Sequence, residues 1–478
     1  KSLTNSDDAE ELITLGNYVV VKRQNFKKLY KVTENGLLNL GKMQVEMRAI
    51  IGGKFWSTFE IIPGKQGRQT LREVSEAESW DDLITELPSG HDNRSIVDDG
   101  TSQKLSKDEI IQLQESGKSG KEIVGTLIEN SKSFLEKTGY SQEKYLKKKE
   151  QKYYKYISIL KPDIRMIHDI YFKLDRNKIG GLRIDALSQL LSYSDVQADG
   201  LFLLYDSGSQ GLPAAAMLNR IGSDTQGHII HLHPGNVPQV TSIHGMNFPK
   251  EQLDRLLNVN IYSFLRLYYQ GEEAVFEHQA REKEQRRVED NSKKSRKQRK
   301  PPNVTNNTNE HDQNQSDAKK NDTDLNTEKN EPKTEGSTDK EASDSKEDSS
   351  NSLKRKSEES SDVPPPKRPR WFYETKSAVE LVQKQKARGL AIVAKEHPLN
   401  IVTALFPFLG LSRPFVIFHQ LREPLQETYM ALKQKHSVVN LRLVTNFLRA
   451  YQVLPDRTHP EIITSDTGGY LLTGYLVE

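Results

Sequence analysis

Residues 206–211, Asp206-Ser207-Gly208-Ser209-Gln210-Gly211, carry the Asp-x-Gly-x-x-Gly spacing of a turn that lets a ligand approach the backbone. The apolar run 201–205 before them reads as a buried strand. A helix is expected over about 213–221 and a second strand over 228–232. Together these make half of a nucleotide-binding βαβ unit. A working unit offers its turn and a helix N-terminus to the ligand, and a carboxylate at the tip of the second strand to the ribose hydroxyls. Here that strand runs into His231-Leu232-His233-Pro234-Gly235, and no carboxylate follows. The pattern predicts a cofactor fold that has lost its grip on a cofactor.

Cations beside aromatic rings are the second chemical signal. Lys144, Lys148, Lys152 and Lys155 recur at spacings of three and four, so on a helix they share one stripe, with Tyr145 and Tyr153 beside it. A solvated helix face gives such a stripe. So does an RNA-binding face, with Lys for phosphates and Tyr for stacking or hydrogen bonding. The stretch 92–105 has no helical or strand period, yet it is rich in directed hydrogen-bonding side chains. It reads either as an ordered linker or as a recognition loop on a rigid scaffold.

The elements that must hold these residues follow from composition and punctuation. The chain of 478 residues has room for two or three domains, and its 35% hydrophobic and 28% charged content implies that part of it is disordered. Lys and Arg number 69 against 66 Asp and Glu, so nucleic-acid affinity must come from local clusters. The absence of cysteine excludes disulfides, thiolate metal sites and cysteine nucleophiles, and fits a reducing compartment. No apolar run approaches a membrane span, and the first residues read as neither a signal nor a transit peptide.

Short β-branched and aromatic runs between 16 and 62, broken by Asn35-Gly36 and Gly52-Gly53, predict a small antiparallel barrel or sandwich. Residues 63–91 read as an irregular insert. A capping box, Ser106 with Glu109, opens a helix, and two more are expected over 120–135 and from 141. From about 272 to 369 Ser, Asn, Asp, Glu and Lys dominate, so this stretch cannot fold alone. Its clusters at 293–300, 354–356 and 366–370 read as a bipartite nuclear-import signal. Strands expected at 390–394, 415–418 and 439–443 make it an insertion within one Rossmann-like domain.

The expected fold is thus α/β plus β. An N-terminal small β-barrel domain (1–92) precedes an RNA-contacting loop and basic helical linker (93–160). A degenerate Rossmann-like domain follows in two parts, 161–271 and 370–478, around the disordered insert 272–369.

Several motifs match one pattern: Asn93-Arg94-Ser95-Ile96-Val97-Asp98-Asp99-Gly100-Thr101-Ser102-Gln103-Lys104-Leu105, Ser141-Gln142-Glu143-Lys144-Tyr145, Arg413-Pro414-Phe415-Val416, the run 451–460 and Gly468-Gly469-Tyr470. In these the chain resembles the non-catalytic, RNA-binding subunit of the eukaryotic tRNA (adenine-58-N1)-methyltransferase, the Trm-six or Gcd-ten family. The resemblance spans nearly the whole chain outside the insert and 63–91.

It implies a heterotetramer of two such subunits with two catalytic partners, which bind S-adenosylmethionine and methylate N1 of an adenine in the tRNA T-loop. It also implies that this chain binds tRNA and no cofactor, and has no catalytic or metal-binding residue. In catalytic relatives a strand tip carries Asp-x-Pro, whereas this chain has Ala394-Lys395-Glu396-His397-Pro398. The RNA-facing residues it implies are 93–104, Lys144, Tyr145, Leu146, Lys147, Lys148, Lys149, Lys152 and Tyr153. Further along they are Lys178, Ile179, Lys367, Arg368, Arg370, His397, Pro398, Phe415, Phe418, His419, Gln420 and Arg422. Two other readings stay open: an active methyltransferase in its own right, or a nuclear RNA-binding scaffold unrelated to methylation.

Overall fold

The computed structural model describes residues 12–41, 43–64, 67–75, 102–115, 120–153, 155–278, 368–454, 457–462 and 468–478, with single residues at 281, 285 and 287. Two compact units are present, 1–276 with 369–478, and 277–368.

The first sheet holds β1 (Tyr18–Arg23), β2 (Phe26–Lys31), β3 (Leu37–Leu40), β4 (Met43–Glu46), β5 (Thr58–Pro63), β6 (Gln69–Val74) and β7 (Tyr156–Leu160). Their order is β2-β1-β7-β5-β6-β4-β3. Val19, Leu38, Val45, Phe59, Leu71 and Ile157 meet in one core, so the strands wrap around a common interior as expected for a small barrel. The sheet reaches past 1–92 to take in β7, which pairs with β1 and β5. The irregular reading of 63–91 is corrected at β6, which pairs with β5 along its length. Only Leu71 of that strand is buried, so its sequence lacks the alternation that marks a half-buried strand.

Between β6 and β7 lie helices α1 (Lys107–Glu115), α2 (Gly120–Glu129) and α3 (Gly139–Tyr153). The capping box forms: Ser106 N–H donates to Glu109 Oε2 at 2.7 Å, and Glu109 N–H to Ser106 Oγ at 3.2 Å. Helix α2 ends at Glu129 rather than 135, where Asn130 turns its side-chain amide back onto the Thr126 carbonyl. Ile123, Val124, Leu127, Phe134, Leu146 and Tyr153 form a separate small core that fixes α3 against α2.

The second sheet contains β8 (Leu201–Asp206), β9 (His228–His233), β10 (Leu256–Asn260), β11 (Gly389–Val393), β12 (Arg413–His419), β13 (Val438–Thr445) and, after the two-stranded ribbon β14 (Tyr451–Leu454) and β15 (Arg457–Pro460), β16 (Tyr470–Leu476). Its order is β10-β9-β8-β11-β12-β16-β13. Strands β10, β9, β8, β11 and β12 are parallel, and β16 runs antiparallel to β12 and β13. Strands from both sides of 277–368 therefore complete one sheet.

Helices cover both faces, which is why every residue of β8 is buried. Leu201, Leu203 and Tyr205 face one core, against α9 (Ile261–Gln270), α10 (Arg370–Lys384), α11 (Pro398–Leu405) and α12 (Glu423–Gln434). Phe202 and Leu204 face the other, against α4 (Ile164–Leu174), α5 (Ile184–Tyr193), α6 (Leu212–Ile221) and α7 (Thr241–Gly245); the short α8 (Lys250–Asp254) precedes β10. Among the described residues no helix is long and apolar enough to cross a membrane.

Candidate functional site

The tips of β8, β9, β11 and β12 gather the residues where a doubly wound sheet holds its ligand. The turn after β8 is closed on itself. Ser207 N–H donates to the Val393 carbonyl at 3.1 Å, and Gly208 and Ser209 N–H both donate to Asp206 Oδ1 at 2.9 Å. Gln210 N–H donates to Gln239 Oε1 at 3.0 Å. Four consecutive amides that would face a ligand are thus satisfied within the chain. Gly211 adopts φ +69°, and a Cβ there would lie 2.4 Å from the Gln239 carbonyl oxygen, so the segment before α7 lies tight against the turn.

The tip of β9 holds imidazoles. His231 is fully buried, with Nδ1 2.8 Å from Asn258 Oδ1 and Nε2 3.9 Å from Asp206 Oδ2. His233 sits where a ribose-binding carboxylate belongs. Burial, and then the neighbouring His231, lower its pKa to about 4, so it is neutral near pH 7. S-adenosylmethionine does not fit this set: the ribose lacks its acceptor and the turn has no amide free between 207 and 210. Among the described residues no cluster of His, Asp or Glu is arranged to hold a metal.

On the other side of the turn a cavity of about 270 Å³ opens between the tips of β8, β11 and β12, lined by Gly208, Lys395, His419 and Gln420 among others. Lys395 reaches over Gly208, where a Cβ would stand 3.1 Å from its Nζ. Its backbone N–H is held by Ser207 Oγ at 2.8 Å. His397 caps α11, accepting from Leu399 N–H, and its Nε2 lies 2.9 Å from Glu427 Oε2. It is exposed and already engaged.

The basic stripe stands on α3. Lys144, Lys147, Lys148 and Lys152 are exposed and Lys149 is half-buried. Lys147 pairs with Glu143 at 2.6 Å, while Lys144, Lys148 and Lys152 pair with no carboxylate among the described residues. Lys149 lies 5.1 Å from the Tyr145 ring centroid. Burial, and then Lys152 and Lys148, lower its pKa. Two residues of the expected RNA-facing set need correction: Leu146 and Tyr153 are buried in the core that seats α3, so their side chains pack rather than bind.

The same correction applies to Ile179, Pro398, Phe415 and Phe418, which are buried beneath the strand tips and turns. His419 is 5% exposed, and its Nδ1 engages the Leu421 backbone. Lys178, Gln420, Arg422, Arg368 and Arg370 are exposed, and Arg370 pairs with Glu374 at 2.8 Å. Residues 93–101 and Lys367 lie outside the described residues. Ser102, Gln103 and Lys104 are described: the Lys104 N–H donates to the Asn130 carbonyl, and Gln103 Nε2 to the Leu127 carbonyl at 3.0 Å. Gln103 therefore ties its segment to the end of α2.

One feature had no signal in the sequence reading. Between β13 and β16, residues 446–454 and 457–462 form an arm built on the ribbon β14–β15. Phe447 is 88% exposed and Ile462 is 92% exposed, and Leu448, Tyr451 and Val453 are exposed as well.

Fold and site together define a Rossmann-like methyltransferase sheet whose cofactor turn is closed from within. The Gcd10p family profile matches residues 12–306, and the chain belongs to that family. It is 33% identical over 472 residues to a mouse (Mus musculus) protein named tRNA (adenine(58)-N(1))-methyltransferase non-catalytic subunit TRM6, covering 97% of this chain and 88% of that one. A protein of Dictyostelium discoideum with the same name is 28% identical, over 97% of this chain and 79% of its own. A solved SAM-dependent O-methyltransferase from Thermotoga maritima aligns at a TM-score of 0.44 and 9% identity, covering 98% of this chain and 96% of its own.

Proposed function

We propose that this chain is the non-catalytic, tRNA-binding subunit of a tRNA (adenine(58)-N1)-methyltransferase. The observation that carries the reading is the closed turn: a methyltransferase sheet whose amides at 207–210 are bonded within the chain has a role other than holding the methyl donor. A catalytic partner binds S-adenosylmethionine and transfers the methyl group. This chain supplies a cationic surface for the RNA, with Lys144, Lys148 and Lys152 on phosphates and residues 93–104 as further contacts.

The arm supports the partner assignment. A two-stranded ribbon is marginally stable by itself, and among the described residues β14 and β15 pair only with each other, which suits strand addition at their outer edges. Its exposed apolar side chains are suited to burial against the catalytic subunit, and two such pairs make the heterotetramer. The basic clusters at 293–300 and 354–370 support nuclear import on sequence alone.

The test compares the chain alone with the chain co-expressed with its catalytic partner. Methyl transfer to tRNA, and binding of S-adenosylmethionine and of tRNA, are measured in both. The expected result is cofactor binding and methylation only in the pair. Methylation by the lone chain would overturn the reading.

A further inference from the structure

Arg183, immediately before α5, is a buried cation at 4% exposure. Its Nε and Nη2 donate to Asp185 Oδ1 and Oδ2, each at 2.7 Å, and Nη2 also donates to the Asn446 carbonyl at 2.9 Å. The guanidinium lies against Gly468, where a Cβ would stand 2.5 Å from Cζ. Asn446 directly follows β13 and Gly468 is two residues before β16, so one planar group touches both feet of the arm. Thr445 Oγ1 donates to the Gly469 carbonyl at 3.0 Å and ties the feet to each other.

A ribbon that projects from a sheet takes its direction from its feet. A guanidinium fork paired with a carboxylate in the first turn of α5 has a fixed orientation, which an ammonium on a flexible stem does not provide. Gly468 is required because any side chain there would displace the fork.

We propose that the Arg183–Asp185 pair is a positioning element for the arm, setting the direction in which the ribbon β14–β15 leaves the sheet and hence the affinity for the catalytic subunit, without entering that interface. This rests on the reading that the arm docks the partner.

The chain has no cysteine, so spin labels at Val453→Cys and Ser188→Cys report the arm's direction cleanly. In full-length chain, Arg183→Lys and Gly468→Ala should each broaden the label-to-label distance distribution. Each should also weaken binding to the catalytic subunit by about tenfold or more, with the melting temperature shifted by no more than about 3 °C. Gly468→Ala keeps every charge, and so separates geometry from electrostatics. Val453→Asp, measured in parallel, tests the docking reading itself. If it binds the catalytic subunit normally, that reading fails and the proposal falls with it. If Val453→Asp blocks binding while Arg183→Lys and Gly468→Ala bind as the parent does, the positioning role alone is overturned.

Discussion

Gln239 Oε1 accepts the backbone N–H of Gln210 at 3.0 Å, in the turn where a working Rossmann site presents its backbone to the ligand. Loss of the ribose acid is therefore only half of the change at this site. His233→Asp alone should leave the chain without saturable S-adenosylmethionine binding up to about 1 mM by calorimetry. Saturable binding by that single variant would show that the turn opens freely.

On α3, Lys144, Lys148 and Lys152 are exposed while Leu146 and Tyr153 are buried. Charge reversal of Lys144, Lys148 and Lys152 to Glu in the assembled complex should weaken tRNA binding by about tenfold or more. It should also lower the slope of log K against log salt by about two to three. Unchanged binding in a filter or anisotropy titration would remove α3 from the RNA surface.

Tyr153→Ala should behave in the opposite way, destabilising the chain by about 3 kcal/mol through the cavity it leaves among Ile123, Leu127 and Phe134. Urea unfolding measures this. A drop in tRNA affinity without a shift in the unfolding midpoint would return Tyr153 to the binding set.

His233 also sets a pH dependence. Its folded pKa of about 4 lies below the ordinary 6.5, so between these values the unfolded chain holds the extra proton and stability falls as pH is lowered. The loss from this group is complete near pH 4 and amounts to no more than about 3 kcal/mol. His233→Gln should flatten the dependence of the unfolding midpoint between pH 7 and 5. An unchanged slope would mean that other groups cause it.

Asn247, just after α7, bonds the backbone of β1 in the first sheet. Asn247 Oδ1 accepts the Tyr18 N–H and its Nδ2 donates to the Tyr18 carbonyl, both at 2.7 Å, while Asn247 itself holds φ +53°. Asn247→Ala removes both bonds and places alanine in a left-handed conformation, and should cost about 3 kcal/mol. Limited proteolysis should then cut between the sheets faster. Parent-like resistance would show that apolar contacts such as Leu29 against Gly245 suffice.

What the sequence determined by itself was whatever local chemistry carries. Turn residues and apolar runs marked β8, α6 and β9, Ser106 and Glu109 marked the start of α1, and the missing carboxylate after His233 was plain in the chain. Spacing placed the lysines of α3 on one stripe. The stripe's neighbours were another matter, because a tyrosine at helical spacing suits a core as well as an RNA face, and only packing against α2 buried Tyr153 and left Lys148 in solvent. The polar β6 could not be seen either, since its pairing with β5 is long-range and its side chains scarcely alternate. Tertiary structure alone brought Gln239 onto Gln210 and Arg183 onto the feet of the arm. Those contacts join residues separated by 29 and 263 positions, and no local periodicity encodes such distances; they exist because strand order in the sheet fixes which chain ends meet.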